Sequence, residues 1–592
     1  MADYRRLIPV VALLITAYAV VLRCDAYTTK HGPLASPGWA RVLTTHGAAV
    51  GKALRPYGHG WAPVPHPYVG GDPANYLRFA REMTSFYQAH VREPLFLAVT
   101  RVYLWLLHDQ DASVSFASAT GSVLAVLGTF LLASQLMPRW LALAPSLALA
   151  VDYEVITWAV DGWRDDLFMA TVVWTAWAFL RVRSRPSRGN ALLLGVLAAA
   201  ACLTRITALA FIVPALAWLV FDGVRTDWRR RARSAVVAFA ALTVLVAPFL
   251  INCYIATGDP LFAINYHTVY YRHGEGESVE KSIGAGEYLR TRFAHRPLRM
   301  TDIGVNGLFV LPLTNKWSGF DPILGRVRPL AIAAAVAGLL LLLWNPNGRL
   351  LVVVLFTSLL PYAFTWHIGD GAAFRFTMHA YPLYMVAAAY PLVVASRLVT
   401  SIVKERRVRR PQARTIVAAV AIAVLVPTAM WAYRSLPWLV VREAVMSEDD
   451  VNIDADRRHA VFWMSGWSSP HHDGVTVRVS TAERSRIALP LSSRRAYDVV
   501  LRVDPVTAAT GQRLNVLFNG YLISRLELAH DPSRVGSYRV HLPEEYFRPG
   551  DNQLMLIPEP VVTAASAGPQ FAWLPPETPI GVRMWYVRIL GR

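Results

Sequence analysis

The run "ALLLGVLAAAACLTRITALAFIVPALAWLVF", from Ala191 to Phe221, carries one charged side chain, Arg205. A soluble helix of that length would need a polar face, and this run has none. About 20 apolar residues suffice for a helix to cross the hydrocarbon core of a bilayer. Similar runs recur along the chain. Hydrophobic residues make up 54% of it and charged residues 17%, whereas soluble domains run nearer a quarter charged. With 592 residues the chain is also too long for one ordinary core. These features specify a polytopic α-helical membrane protein.

The order of the runs predicts a topology. "YRR" at 4–6 holds the N-terminus inside, and "LRCDAY" lacks the small residues of a signal-peptide cleavage site, so Leu7–Leu22 reads as a retained first span. Residues 23–111 form a long outer loop. It starts irregular ("YGHGWAPVPHPYVGGDP") and turns amphipathic where Tyr76, Leu77, Phe79, Ala80, Met83 and Phe86 recur at helical spacing. "REPLFLAVTRVYLWLL" (92–107) is short, is interrupted by Arg101, and reads as an interfacial helix. Spans follow at 112–137, 140–160, 166–181, 190–204, 206–221, 234–255, 328–344, 350–366, 376–397 and 414–434. With about eleven spans, the basic loops "RVRSRPSR", "RTDWRRRAR" and "KERRVRRPQAR" all fall inside. The loops 161–165, 256–327 and 367–375 then lie outside.

The net charge of +19 is explained by those short inner loops, and the reading excludes nucleic acid as a partner. The cysteines, Cys24, Cys202 and Cys253, form no CxxC or Cys/His spacing. The topology puts Cys24 and Cys253 near one face, where a disulfide is open to them, although chance placement explains the pair as well. No metal or cofactor is called for.

Beyond residue 440 the character changes. "GVTVRVS", "AYDVVLRVD", "RLNVLFNGYLISRLEL", "GSYRVHLP" and "NQLMLIP" alternate at strand period, and "FNGY" (518–521) signals a tight hairpin. The organisation is therefore a membrane domain over 1–440 and an extracytoplasmic β-sandwich or jelly roll over 441–592. This tail resembles carbohydrate-binding jelly rolls. Tyr521, Tyr546 and Trp585 are candidates to stack on sugars there, and a docking role fits equally. "HHD" (471–473) reads as a solvated turn, and "DAD" (454–456) as a polar linker.

Two acidic positions fall on the outer face: Asp72 in "VGGDPANYLRFAREM", and Asp161, Asp165 and Asp166 in "DGWRDDLF". A carboxylate there can take a proton from an attacking hydroxyl or amide. Asp72 can equally cap the helix at 74–88, with Pro73 in its first turn. Residue chemistry leaves both open. In the outer loop 256–327, "NYHTVYYRH" carries Tyr, His and Arg that suit an interfacial aromatic belt or sugar stacking.

The order "GGDPANYLRFAREM", "REPLF", "DGWRDDLFMATVVWTAWAFLRVR", "GVLAAAACLTRITALAFIVPALAWLV", "FRFTMHAYPLYMVAAAYPL" resembles the GT-C class of integral membrane glycosyltransferases. It is most similar to the protein O-mannosyltransferase-like and lipid A aminoarabinose transferase-like families, over residues 5–400. The resemblance implies a polyprenyl-phosphate sugar as donor and an extracytoplasmic glycan, lipid or protein as acceptor. It implies Asp72 as the base, Asp165 or Asp166 as a second acid, and direct inverting displacement at the plasma (inner) membrane. Arg375 would bind the donor phosphate, with Arg92 and Arg205 behind it. Tyr76, Arg164 and His379 complete the candidate substrate-binding set, and His367 is a further candidate for the phosphate. The family more often has two prolines where this chain has Glu93-Pro94, so Glu93 is either an added acid in the site or surface. Arg375 alternatively snorkels to the interface, and Arg205 alternatively marks a helix break.

Two other classes stay open. A lipid-linked glycan transporter or flippase would show repeats and midplane charges; no repeat is seen, and the acids sit at one face. A glycan ligase or polymerase would place its charges much as here.

Overall fold

The computed structural model describes residues 4–591, leaving out 35, 59, 62, 65–67, 69–70, 222–227, 275–281, 296, 317–327, 366–372, 406–450, 455–463, 474, 490–495, 507–510, 529–535 and 548–551. His367, the span expected at 414–434 and most of the loop 404–414 lie outside the described residues. The chain forms two compact units, Met1–Leu289 with Gly304–Ala423, and Arg290–Ile303 with Val424–Arg592.

The first unit is helical. Its helices begin with α1 (Tyr4–His31), α2 (Gly38–Leu54), α3 (Gly71–Glu82), α4 (Pro94–Leu106), α5 (Ala112–Ala133), α6 (Arg139–Val151), α7 (Tyr153–Val160) and α8 (Asp165–Ser184). They continue with α9 (Arg188–Thr204), α10 (Leu209–Phe221), α11 (Trp228–Thr257), α12 (Phe262–Asn265) and α13 (His267–Gly274). Later helices include Arg328–Leu342, Pro346–Ala363, Ala373–Met378 and Tyr381–Glu405. Among the described residues four helices are long and apolar enough to cross a membrane, or five if α6 and α7 form one broken span. Five more apolar helices are shorter.

Several boundaries differ from the sequence reading, among them the helix expected at 74–88, which is Gly71–Glu82. Helix α1 runs on to His31 instead of ending at Leu22, because its charges are buried with partners. Arg23 donates to Ser122 Oγ at 2.7 Å, and Lys30 Nζ lies 2.7 Å from Asp161. Residues 38–54, placed by the sequence reading within the long loop 23–111, form α2. Its Gly51 lies so close to α1 that a Cβ would sit 2.1 Å from the Val21 carbonyl oxygen. The span expected at 140–160 bends by 54° between α6 and α7. Asp152 causes the restart: its carboxylate accepts from Val155 N at 2.8 Å as an N-cap, and from Tyr381 Oη at 2.5 Å.

Helices α5 and α8 cross closely, which fixes the start of α8. A Cβ on Gly121 would lie 2.6 Å from the backbone of Leu167. Small residues at such crossings let backbones approach where no hydrophobic drive separates lipid from protein. Cys24, Cys202 and Cys253 are all buried and free, so the disulfide left open above does not form.

The second unit is β-rich. Its strands are β1 (Val451–Asp454), β2 (Met464–Ser465), β3 (His471–Asp473), β4 (Val475–Val479), β5 (Ser485–Leu489), β6 (Tyr497–Pro505) and β7 (Arg513–Phe518). They are followed by β8 (Tyr521–Glu527), β9 (Ser537–Leu542), β10 (Asn552–Glu559), β11 (Val562–Thr563), β12 (Pro579–Ile580) and β13 (Val582–Gly591). One sheet has the order β3-β4-β13-β6-β9, with β1 also on β13; the other has the order β2-β5-β10-β7-β8. Every pairing in these two sheets is antiparallel. Alternate residues of both sheets, among them Val499, Leu501, Val587, Val516, Phe518 and Leu556, share one buried cluster. The β7–β8 hairpin turns at Asn519 and Gly520, both at positive φ, as the "FNGY" signal requires. "HHD" is strand β3, not a turn, and Asp454 of "DAD" ends β1.

Candidate active site

The elements that carry charge on the helical unit meet around Asp72. Helix α3 opens at Gly71, so Asp72 sits in its first turn. Its carboxylate is held by side chains. Arg92 Nη2 lies 3.0 Å from Oδ1, Arg375 Nη2 lies 2.9 Å from Oδ2, and the Tyr76 hydroxyl lies 3.4 Å from Oδ2. Tyr76 stands one turn on, fully buried and edge-on to Phe96. Arg92 and Arg164 both lie over its ring.

Asp165 opens α8 and is 3% exposed. It takes the Nε of Arg375 at 3.2 Å and pairs with Arg205 through its other oxygen. Arg375 thus holds Asp72 and Asp165 with two different nitrogens, while its guanidinium lies 3.9 Å from the centre of the Trp163 ring. Arg205 marks the helix break, one of the two roles the sequence left open for it. Its extended backbone (φ −150°, ψ 115°) breaks the helix between α9 and Ile206, and its side chain reaches Asp165.

Glu93 is not at the surface; it is an acid of this cluster, paired with Arg164. It is buried, accepts from Arg164 Nη1 at 2.5 Å, and accepts from the Ile206 backbone N–H at 2.8 Å. It therefore satisfies a donor freed by the helix break and holds Arg164 at the same time.

His267, at the start of α13, meets Arg92 through Nε2. It comes from the "NYHTVYYRH" stretch. The sequence marked that stretch for its aromatic and polar side chains but offered nothing to pair His267 with Arg92. Burial, then the charges of Arg92 and Arg164, push the His267 imidazole down to about 3, so it is neutral at ordinary pH. At Asp72 burial favours the protonated form, but Arg375, Arg92 and Arg164 outweigh it and hold the carboxyl well below the usual range.

Other candidates stand apart. Asp166, next to Asp165, turns away from the cluster to Ser118 Oγ at 3.1 Å. Asp161 pairs with Lys30 and lies 3.5 Å from His31. His379 is buried against Phe168 and Tyr362, with Nε2 3.0 Å from the Ser358 carbonyl oxygen. Tyr362 and Phe168 are also the rings beneath Arg205, so His379 lies behind that cation. In the β unit Tyr521 and Tyr546 stack on each other at 4.3 Å, and Arg583 covers Trp585. Among the described residues no group of His, Cys, Asp and Glu is arranged to hold a metal ion.

The cluster as a whole contains Arg92, Arg164, Arg205 and Arg375 against Asp72, Asp165 and Glu93. With His267 neutral, one positive charge is left over. The Nε atoms of Arg92, Arg164 and Arg205 and the Nδ1 of His267 are buried without a hydrogen-bond partner. Such a site suits a singly charged anion and a nucleophile held near a carboxylate.

Residues 91–251 match the family described as dolichyl-phosphate-mannose-protein mannosyltransferase. The resemblance to membrane glycosyltransferases is borne out. The matched glycosyltransferase segment contains Arg92, Glu93, Arg164, Asp165 and Arg205. No curated relative matches the chain. Among solved structures, the chain is similar to the oligosaccharyltransferase AglB from Archaeoglobus fulgidus, in complex with an inhibitory peptide and a dolichol-phosphate. That likeness has TM-score 0.40 and 14% identity over 72% of this chain and 56% of that one. The chain thus spans little more than half the length of the archaeal enzyme. It is also similar to ArnT from Cupriavidus metallidurans bound to undecaprenyl phosphate (TM-score 0.38, 15% identity, 76% and 71% covered). A third likeness is to the arabinosyltransferase EmbB from Mycobacterium smegmatis (TM-score 0.24, 12% identity, 94% and 68% covered).

Proposed function

We propose that the chain is a multi-pass membrane glycosyltransferase that moves a sugar from a polyprenyl-phosphate donor to an extracytoplasmic acceptor. The observation that carries this reading is the bridge from Asp72 through Arg375 to Asp165, set among cations with unpartnered buried donors. The matched family, described as using dolichyl-phosphate-mannose, supports a donor of that class. A sugar esterified to a polyprenyl monophosphate carries one negative charge, and the cluster carries one surplus positive charge.

In the reaction Asp72 takes the proton of the acceptor hydroxyl or amide. The acceptor atom forms its bond to the anomeric carbon as the bond from that carbon to the phosphate oxygen breaks. The polyprenyl phosphate leaves with the electron pair, and guanidinium groups stabilise the charge it gains. One displacement inverts the anomeric carbon. The basic inner loops support an outer placement for this site and for the second unit. They also favour about eleven spans. The two antiparallel sheets sharing one core support a β-sandwich beyond residue 440.

The test is transfer of labelled sugar from synthetic polyprenyl-phosphate donors by the full chain in vesicles. The parent should transfer, and Asp72→Asn should remain folded and fail to. No transfer by the parent from any such donor, or undiminished transfer by Asp72→Asn, would overturn the reading.

A further inference from the structure

Asp72 is a paradoxical base as it stands. Both of its oxygens are engaged, by Arg92 at 3.0 Å and by Arg375 at 2.9 Å, with the Tyr76 hydroxyl as a third donor. A carboxylate clamped in this way has little affinity for a proton, whereas a general base works best when its affinity suits the operating pH. The two clamping groups are also cations that a donor phosphate would need. Each has somewhere to turn. Arg92 already spans from Asp72 to the neutral His267, and Arg375 spans from Asp72 to Asp165, which keeps Arg205 if Arg375 moves.

We propose that Arg92 and Arg375 exchange partners during the cycle: in the empty site they clamp Asp72, and the donor's phosphate draws them off it. The base is then released only in the donor-loaded enzyme, and the acceptor is activated after the donor. This rests on the donor reading above. The other groups facing Asp72 are Arg164, Tyr76 and, through the shared Arg375, Asp165; His267 reaches it only through Arg92. None of them is a cation that would replace both clamps, since Arg164 stays paired with the buried Glu93. Losing a close opposite charge moves a carboxyl upward by about 1 to 3 pH units per partner.

The test reads the proton affinity of Asp72 directly. The full chain in detergent is treated with a carbodiimide, which modifies protonated carboxyl groups, over a range of pH. Modification of the Asp72 peptide is followed by mass spectrometry, without lipid, with a polyprenyl monophosphate, and with the uncharged polyprenol. Binding of radiolabelled polyprenyl monophosphate is measured on the same samples. Physical shielding by lipid changes the extent of modification, whereas release changes its midpoint pH. Arg92→Gln, which removes one clamp outright, calibrates the readout. The expected result is a midpoint raised by about one pH unit or more by the phosphate lipid and unmoved by the polyprenol. Binding with an unmoved or lowered midpoint overturns the exchange and leaves the donor reading standing. Absence of binding overturns both.

Discussion

Arg375 Nη2 stands 2.9 Å from Asp72 Oδ2, and the two residues are 303 positions apart in the chain. One guanidinium thereby ties the start of α3 to the helix Ala373–Met378, and through Asp165 to the start of α8. A planar fork can serve two carboxylates at once with separate nitrogens, which an ammonium group cannot do in the same geometry. Arg375 therefore links the two carboxylates, each of which also has a cation of its own, Arg92 on Asp72 and Arg205 on Asp165.

Replacing Arg375 separates the roles of charge and geometry. Arg375→Gln should lower sugar transfer about 100-fold, the scale seen when one preorganised donor is removed from a charged transition state. Arg375→Lys should recover only part of that, because it restores charge without the fork. The check is the initial rate of transfer from a polyprenyl-phosphate donor in vesicles. Full activity in Arg375→Lys would mean that the bridge is not used.

Acid should destabilise the first unit, and His267 should act first. Its folded value, about 3, lies below the ordinary histidine value. Between roughly 6.5 and 3 the unfolded chain binds this proton and the folded chain does not, so stability falls as pH drops through that window. Asp72 acts in the same direction at lower pH. Its contribution is present above the ordinary carboxylate range and is lost as pH falls toward its depressed folded value. The thermal midpoint of the detergent-solubilised chain should fall from about pH 7 to about pH 5, and less steeply in His267→Gln. Equal slopes would show that His267 is not held neutral.

Much of this arrangement was legible in the sequence, and the limits have physical causes. Long apolar runs announced the helices, but not where buried charges let a helix continue, as at Arg23 and Lys30, or where a cap restarts one, as at Asp152. Asp72, Arg92, Asp165, Arg205 and Arg375 could each be singled out by charge at an outer boundary. Asp165 and Asp166 could not be separated, since neighbouring residues on a helix point about 100° apart and the sequence does not fix which faces the cluster. The pairing of His267 with Arg92 spans 175 positions. Glu93 was legible as unusual, but its partner is a backbone N–H exposed by a helix break, which no side-chain pattern encodes.

Gly121 should be intolerant of a side chain. A Cβ there would lie 2.6 Å from Leu167 backbone atoms and 2.9 Å from the Asp166 carbonyl carbon. Gly121→Val must push α5 from α8, at a cost of about 1–3 kcal/mol, and shift Asp165 at the start of α8. The thermal midpoint and the transfer rate should fall together. A variant with parental stability and activity would show that the crossing is not this close.

Glu93 offers the sharpest separation of strut from substrate ligand. Its oxygens are used by Arg164 and by the Ile206 N–H. Glu93→Gln keeps a carbonyl oxygen for the N–H but loses the charge opposite Arg164. Glu93→Ala loses both, stranding a buried N–H at about 1–3 kcal/mol and a buried cation at about 3–5 kcal/mol. Unfolding in detergent should therefore rank parent, Glu93→Gln, Glu93→Ala in falling stability. A residue that only touched substrate would instead leave stability unchanged in both variants while raising KM. The strut works through Arg164 and through Arg205, the residue before Ile206, so Glu93→Gln should lower kcat along with stability. A rise in KM alone, at parental stability, would move Glu93 back among the substrate ligands.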